Sequence, residues 1–287
     1  MHEVQAKSIL SPKNGMNIYR GCTHGCIYCD SRSECYQMKH SFEDVEVKVN
    51  APSLLSKALA SKRRMCMIGT GSMCDPYLPI EKDLGLTRSC LEIIAHEGFG
   101  LSILTKSDLI LRDIDLLRRI NEKSRCIVQM TLTTADEDLC RIIEPGVCTT
   151  ERRYEVLRKM HENGIPTIVW LSPILPWIND TPQNINGILS YCARSQVKGV
   201  LCFGMGLTLR AGNREYFYSQ LDRSFPGLSD RYRQVYGNSY EVLSPSNASL
   251  MKLFRDTCHM YCMMSDTDEI FKFLNTFPDP QESFFWF

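Results

Sequence analysis

Three cysteines near the start of the chain, Cys22, Cys26 and Cys29, stand at spacings of four and three in the run Gly21-Cys22-Thr23-His24-Gly25-Cys26-Ile27-Tyr28-Cys29-Asp30. Thiols so placed on a glycine-containing loop can converge on one soft-metal site, and thiolates suit zinc or an iron–sulfur cluster. A [4Fe–4S] cluster ordinarily takes four cysteines. Three leave one iron open, much as a catalytic zinc keeps one position free, and an open iron can bind the amino and carboxylate groups of a small molecule. A fourth ligand from His24 or Cys35 would instead give a closed zinc site or an electron-transfer cluster.

The elements around this loop follow from hydrophobic periodicity. The residues 16–19 before it read as a first strand. From about residue 50 short β-rich runs alternate with amphipathic segments: strands over 65–68, 101–105, 126–131, 167–171 and 200–203, and helices opening at Asn50, over 87–96, after Ser107 or Asp108, over 150–163 and at Thr181-Pro182. Six β–α units in series predict an α/β fold with a parallel sheet, either a partial (β/α)6 TIM-like barrel or a doubly wound sheet. No linker or repeat divides the chain before about residue 210. The expected organisation is therefore a barrel over 1–210 and a mainly helical, irregular extension over 211–287, whose apolar end, residues 284–287, is expected to dock on its own domain.

Composition narrows the function classes. Lysine plus arginine equals aspartate plus glutamate, 33 each, so there is no general field for nucleic acid or anionic membrane. The basic pairs Arg63-Arg64, Arg118-Arg119 and Arg152-Arg153 form no evident duplex-binding stripe. No apolar run nears the roughly 18 residues of a membrane span, and residues 1–10 carry no apolar signal-peptide core. Fourteen cysteines in a chain of this length suggest a reducing, cytoplasmic setting rather than a disulfide scaffold. Cys66, Cys90, Cys126, Cys140, Cys192 and Cys202, set in apolar patterns, are expected in the core. Cys258 and Cys262 could seed a second cluster, but their i, i+4 spacing on an apolar face fits core packing better.

Cys-x₃-Cys-x-aromatic-Cys, with Tyr28 as the aromatic, is the signature of radical S-adenosylmethionine (SAM) enzymes, which the chain also resembles in its order of elements. Asn17-Ile18-Tyr19-Arg20-Gly21-Cys22, Asp75-Pro76-Tyr77, Thr105-Lys106-Ser107, Glu144-Pro145 and Pro173-Ile174-Leu175-Pro176 resemble the branch related to spore photoproduct lyase. At closer range the segments MIGTGSMCDPY, QMTLTT and CFGMGLTLRAGNREYFY are similar to the radical SAM mobile pair B group. The resemblance implies a [4Fe–4S] cluster on Cys22, Cys26 and Cys29, with SAM chelated by the open iron. One electron, from an external donor such as flavodoxin or ferredoxin, cleaves SAM to methionine and a 5′-deoxyadenosyl radical that abstracts hydrogen from a substrate. It further implies a second radical SAM protein, encoded nearby on a mobile element, as a partner. The reading from a different class is a non-catalytic iron–sulfur redox protein.

Strand ends of a βα barrel carry its site, and each end here offers a polar group. Gly69, Thr70, Gly71 and Ser72 follow strand two, where the resemblance places the SAM amino group. Lys106 ends strand three and is costly to bury unpaired; its expected partner is the SAM carboxylate, or else Asp75 or Asp108. Thr131 and Thr133 share a face at the end of strand four and could bond the SAM ribose, while Met205 could pack against adenine or methionine. Glu144 and Arg152 are expected to form an ion pair. Arg210, Asn213 and Arg214 could bind an anionic group. Photoproduct lyases use a cysteine on the loop after strand two as hydrogen donor. That position is Ser72 here, which argues against thymine-dimer repair and leaves Cys74, two residues on, as the candidate thiol.

Overall fold

A computed structural model describes residues 1–278, so the apolar end at residues 284–287 lies outside the described residues. The chain opens with β1 (His2–Val4), β2 (Gly15–Met16), β3 (Tyr19–Arg20) and β4 (Glu46–Lys48), and α1 (Ala51–Ala60) follows. Then strands and helices alternate: β5 (Met67–Thr70), α2 (Glu81–Leu84) and α3 (Leu86–Glu97), β6 (Gly100–Thr105), α4 (Ile114–Lys123), β7 (Cys126–Thr131), α5 (Glu137–Ile143) and α6 (Thr150–Glu162), β8 (Thr167–Trp170), α7 (Pro182–Arg194) and β9 (Gly199–Leu201). After β9 come β10 (Gly206–Thr208) and then the extension, with α8 (Asn213–Ser224), α9 (Leu228–Tyr236), β11 (Glu241–Leu243), α10 (Asn247–Met260) and α11 (Thr267–Asn275).

Six strands form one sheet in the order β2-β5-β6-β7-β8-β9, every neighbouring pair parallel. A doubly wound sheet reverses direction at a switch point. This order runs monotonically with the chain, which is the winding of a barrel, here a six-stranded partial one. Helices cover the outer face, so the strands are mostly apolar; all six residues of β7 are buried, and the Gln129 amide among them bonds Ser102 and Trp170. The helices meet them with single stripes: Cys90, Leu91 and Ile94 on α3, Leu117 and Ile120 on α4, Val156, Leu157 and Met160 on α6, and Ile185, Ile188, Leu189 and Cys192 on α7. Side-chain caps fix the starts. Asp136 accepts from the Leu139 amide ahead of α5, and Thr181 accepts from Asn184 ahead of α7. Ser107 caps a tight turn of 3₁₀ helix, Asp108–Asp113, before α4 itself begins.

The first strand departs from the sequence reading. Residues 16–19 are shared between two sheets: Gly15–Met16 pairs with β5, whereas Tyr19–Arg20 pairs antiparallel with β4 in a small sheet of order β1-β4-β3. The Lys48 amide takes the Ile18 carbonyl and Lys48 Nζ takes that of Asn17, which draws the chain out of the barrel between the two strands. The cysteine loop thus leaves from the small sheet. Smaller shifts of a residue or two occur at other strand ends, as at β5 and β9. The extension is helical as expected and adds an antiparallel hairpin, β10 with β11. It closes the free edge of β9, where the Val200 amide donates to the Met264 carbonyl at 2.8 Å and the Met264 amide to that of Lys198 at 3.0 Å.

The fourteen cysteines are all free. Cys90, Cys126, Cys140, Cys192, Cys202 and Cys258 are buried, Cys66 is half-buried, and Cys262 is exposed, which separates the pair considered for a second cluster.

The turn after β5 lies flat on β6. At Gly71, φ is +98°, and an added Cβ would stand 1.9 Å from the Leu104 carbonyl oxygen; only glycine fits there. At Gly69 an added Cβ would meet nothing within 4 Å. Gly71→Ala is therefore expected to cost about 3 kcal/mol in urea unfolding, and Gly69→Ala under about 1 kcal/mol.

Candidate active site

A cavity of about 430 Å³ opens at the ends of the parallel strands, within the usual range for a cofactor or small ligand. Its lining includes Cys22, Cys26 and Cys29 from the loop, Gly71 to Asp75 after β5, Lys106 after β6, and Thr131 at the end of β7. Trp170, Phe203 and Gly204 line it from the far side, and Glu241 and Leu243 reach it from the hairpin.

The loop is held from behind by a buried polar assembly. Arg153 Nη2 lies 2.6 Å from Glu144 Oε2, and both side chains are wholly buried. Tyr28, the aromatic of the cysteine motif, donates its hydroxyl to the other Glu144 oxygen. Arg153 also donates to the carbonyls of Cys148 (2.9 Å) and Thr131 (3.0 Å). Main-chain bonds complete the seat: the Ile27 amide donates to Ile143 and the Gly146 amide to His24. The expected partner of Glu144 was Arg152. That residue instead faces outward, with Asp108 and Glu155. A helix turn decides this, since Arg153, Val156, Leu157 and Met160 form the inward stripe of α6.

Asp75 makes the second junction. One carboxylate oxygen accepts from Thr105 Oγ1 (2.7 Å) and the Tyr77 amide (2.9 Å), and the other accepts from the Lys106 amide (2.8 Å) and lies 3.6 Å from His24 Nδ1. The turn after β5, the end of β6 and the cysteine loop thus share one carboxylate. Asp75 meets Lys106 through its backbone; the Lys106 ammonium is 5.8 Å above the Tyr28 ring, and Asp108 is taken by Arg152. Burial opposes charge on Lys106, but Cys26 and Glu144 outweigh it and hold the ammonium above its ordinary pKa. Burial also drives the Cys22 thiol up to about 12 and the Cys26 thiol higher still. Such thiols are poor nucleophiles; a metal centre beside them is what ionises them.

The thiols suit a cluster better than a single ion. In a tetrahedral zinc site with Zn–S bonds near 2.3 Å, sulfurs stand about 3.8 Å apart. Among the described residues, the group of three His, Cys, Asp or Glu side chains with ligand atoms all within 4.8 Å is His2, His40 and Asp44, and the cysteine loop forms no such group. Thiols spaced more widely fit ligands of different irons. Cys35 is exposed with its sulfur 3.3 Å from Arg210, away from the cavity, and supplies no fourth ligand. His24 lines the cavity, but its ring is turned to Asp75.

Of the remaining candidates, Tyr28, Gly71, Ser72, Cys74, Lys106 and Thr131 line the cavity, whereas Gly69, Thr70, Thr133 and Met205 are not among its lining residues. Gly69 and Thr70 lie within β5, one turn short of the cavity. Thr133 is past the end of β7, where its carbonyl accepts from Asn179 and Asn184; period two fails because the strand has stopped. Met205 is buried in the core between Gly204 and Gly206, which do line the cavity. Arg210, Asn213 and Arg214 are spent on the fold: Arg210 on Tyr36 and Tyr240, Asn213 on the Arg210 amide, Arg214 on carbonyls of residues 237–239. The Cys74 thiol is buried and donates to the Gly21 carbonyl at 2.8 Å. Sequence reasoning passed over Trp170 and Phe203. Their place, directly at the ends of β8 and β9, is the signal that could have found them. Glu241 carries no such signal.

Residues 16–186 match the radical SAM superfamily. The chain belongs to that superfamily. An uncharacterised protein of Mycobacterium tuberculosis is 30% identical over 273 residues, spanning 88% of this chain and 77% of the relative. An uncharacterised protein of Methanocaldococcus jannaschii is 37% identical over 186 residues, 62% of this chain and 69% of the relative. Among solved structures, a spore photoproduct lyase double mutant with bound AdoMet and dinucleoside spore photoproduct superposes with a TM-score of 0.61 at 15% identity, covering 86% of this chain and 74% of that one. At that identity the likeness is one of fold, and it agrees with the partial barrel. Membership of the superfamily implies a [4Fe–4S] cluster and SAM. Among the described residues, no helix is long and apolar enough to cross a membrane.

Glu144 should report on the loop's seat. Burial alone would raise its pKa, but Arg153 and Lys106 outweigh burial and hold it below the ordinary value. A depressed folded-state pKa gives stability that is present above the unfolded pKa, about 4.3, and lost as pH falls through the folded one. Glu144→Gln, which leaves Arg153 buried without its counter-charge, is expected to cost about 3–5 kcal/mol at neutral pH. Urea midpoints between neutral pH and pH 3 should fall less steeply in this variant than in the parent.

Proposed function

We propose that this chain is a radical SAM enzyme in which Cys22, Cys26 and Cys29 hold the [4Fe–4S] cluster and the cavity beside them receives SAM and the substrate. The observation that carries the reading is the meeting of these three thiols with the charged Lys106 and the Asp75 junction in one cavity at the strand ends. When bound, the cluster supplies an electron, drawn from a donor such as flavodoxin or ferredoxin, that cleaves SAM reductively and so delivers a 5′-deoxyadenosyl radical for hydrogen abstraction.

The protein's own part is positioning and exclusion of water. Lys106, its backbone amide anchored on Asp75, offers its ammonium to the SAM carboxylate. The turn at Gly71 to Ser72 brings backbone close to the SAM amino group, and Thr131 lies at the strand end for the ribose. Trp170 and the exposed ring of Phe203, 5.8 Å apart at their centroids, make an apolar face at the mouth that suits a planar or apolar substrate group. In this reading residues 1–210 are the cofactor-binding part. Residues 211–287 are an extension that completes the wall through Glu241 and Leu243. The structurally similar lyase is seen with a dinucleoside photoproduct, but here Ser72 holds the position of the lyase's hydrogen donor and the Cys74 thiol is turned to Gly21; both weigh against the lyase reaction. A second radical SAM protein as partner rests on the sequence resemblance alone.

Two measurements test the reading. Anaerobically reconstituted protein, given reductant and SAM, should release 5′-deoxyadenosine, and alanine at Cys22, Cys26 or Cys29 should abolish both the iron content and the product. A cluster that forms yet yields no product, with an EPR signal unmoved by SAM, would mark a redox protein instead. Lys106→Met should keep the cluster and weaken SAM binding about 10–100-fold, the usual worth of a hydrogen bond to a charged group; equilibrium dialysis of labelled SAM reads this directly.

A further inference from the structure

Away from the cavity, the small sheet gathers a second set of metal-ligand side chains. His2 on β1 and Glu46 on β4 are register partners in parallel strands and share a face. Asp44 stands two residues before Glu46, and His40 comes in from the preceding loop. One ligand atom from each of His2, His40 and Asp44 lies within 4.8 Å of the others. His2 Nδ1 is 2.9 Å from Asp44 Oδ2, and the Met1 amino group is 3.0 Å from the other Asp44 oxygen.

His40 is the residue that points to an ion. Its Nδ1 lies 2.9 Å from the Ser41 carbonyl, a group that only accepts, so Nδ1 carries the proton. Nε2 of the neutral ring then presents a lone pair. This atom is buried and makes no hydrogen bond among the described residues, and it faces Glu46 Oε2, a second acceptor, at 3.7 Å. With the ring neutral these are two acceptors turned toward each other, too far apart for a hydrogen bond, a pairing that a bound cation would satisfy. Metal-bound histidines commonly donate their other N–H to a backbone carbonyl, as His40 does.

We propose that His2, His40 and Asp44, with Glu46 as fourth ligand, form a structural site for a divalent ion of the zinc class. Two imidazoles and two carboxylates suit a borderline ion in tetrahedral geometry; magnesium and calcium prefer oxygen alone. The site bears on the cysteine loop. Between His40 and Asp44, the Phe42 carbonyl accepts the Cys22 amide at 2.8 Å. That same oxygen stands 2.6 Å from where a Cβ on Gly21 would be. An ion bound by His40 and Asp44 ties both ends of this segment to β1, and so fixes the backbone behind Cys22.

The test uses holoprotein with its cluster assembled, stripped with a chelator and dialysed against Zn²⁺. Metal analysis should find one zinc besides the cluster iron, and zinc-edge X-ray absorption should show only nitrogen and oxygen at about 2.0–2.1 Å. His40→Ala and Asp44→Asn should lose that zinc with iron and sulfide unchanged; His2→Gln, at a strand start, gives the same readout if either variant folds poorly. A sulfur shell at about 2.3 Å would put the zinc on cysteines and overturn the site. Zinc that survives all three substitutions overturns it too. So does a parent protein that takes up none.

Discussion

The cysteine loop depends on one buried ion pair. Arg153 and Glu144 are both closed to solvent, a placement that costs several kcal/mol of desolvation per ion before their attraction is counted. What makes it tolerable is saturation. The guanidinium also reaches two backbone carbonyls, at Cys148 and at the end of β7, and the carboxylate takes the Tyr28 hydroxyl. One assembly therefore links α6, a central strand and the loop that carries the three thiols. A hydrophobic substitute of equal volume could fill the space, but it could not specify the height of Tyr28 above the sheet.

Asp75 plays the complementary part at the front of the site. Its two oxygens take the Thr105 hydroxyl and the Tyr77 and Lys106 amides, and they face the His24 ring. The carboxylate is thereby used up on geometry, and among the described residues no carboxylate pairs directly with the Lys106 ammonium. Cys26 and Glu144 hold its pKa above the ordinary value against the cost of desolvation. Asp75 thus sets where Lys106 begins, while Cys26 and Glu144 favour its charge.

Much of this was legible in the residues. Short β-rich runs and period-3.6 patterns located the barrel strands and helices, because a parallel strand buried on both faces is mostly apolar and a covering helix shows a single stripe. The motif around Cys22, Cys26 and Cys29 located the site, and Lys106 was visible as a charge at the end of an apolar run. What stayed hidden depends on contacts remote in sequence. Residues 16–19 look like one strand, and only Lys48, some thirty residues on, divides them between two sheets. Arg152 and Arg153 are chemically alike; the stripe through Val156, Leu157 and Met160 tells which turns inward. Thr133 appeared to share a face with Thr131, but that inference needs the strand to continue, and β7 ends at Thr131. Glu241 reaches the cavity only because the hairpin folds back, which no local pattern announces.

The seam between barrel and extension has a further consequence. At the edge of β9 it is made by main-chain groups of Lys198, Val200 and Met264, reinforced by the packing of α10 on α7. Main-chain pairing is indifferent to side-chain identity. Substitutions of Glu241 and Leu243, which line the cavity from the hairpin, can therefore reshape its wall without loosening the segment, whereas the buried Leu250, Phe254 and Cys258 hold it in place. The fold thus keeps apart the buried charges of the barrel that hold the cysteine loop and the hairpin side chains that complete the cavity wall.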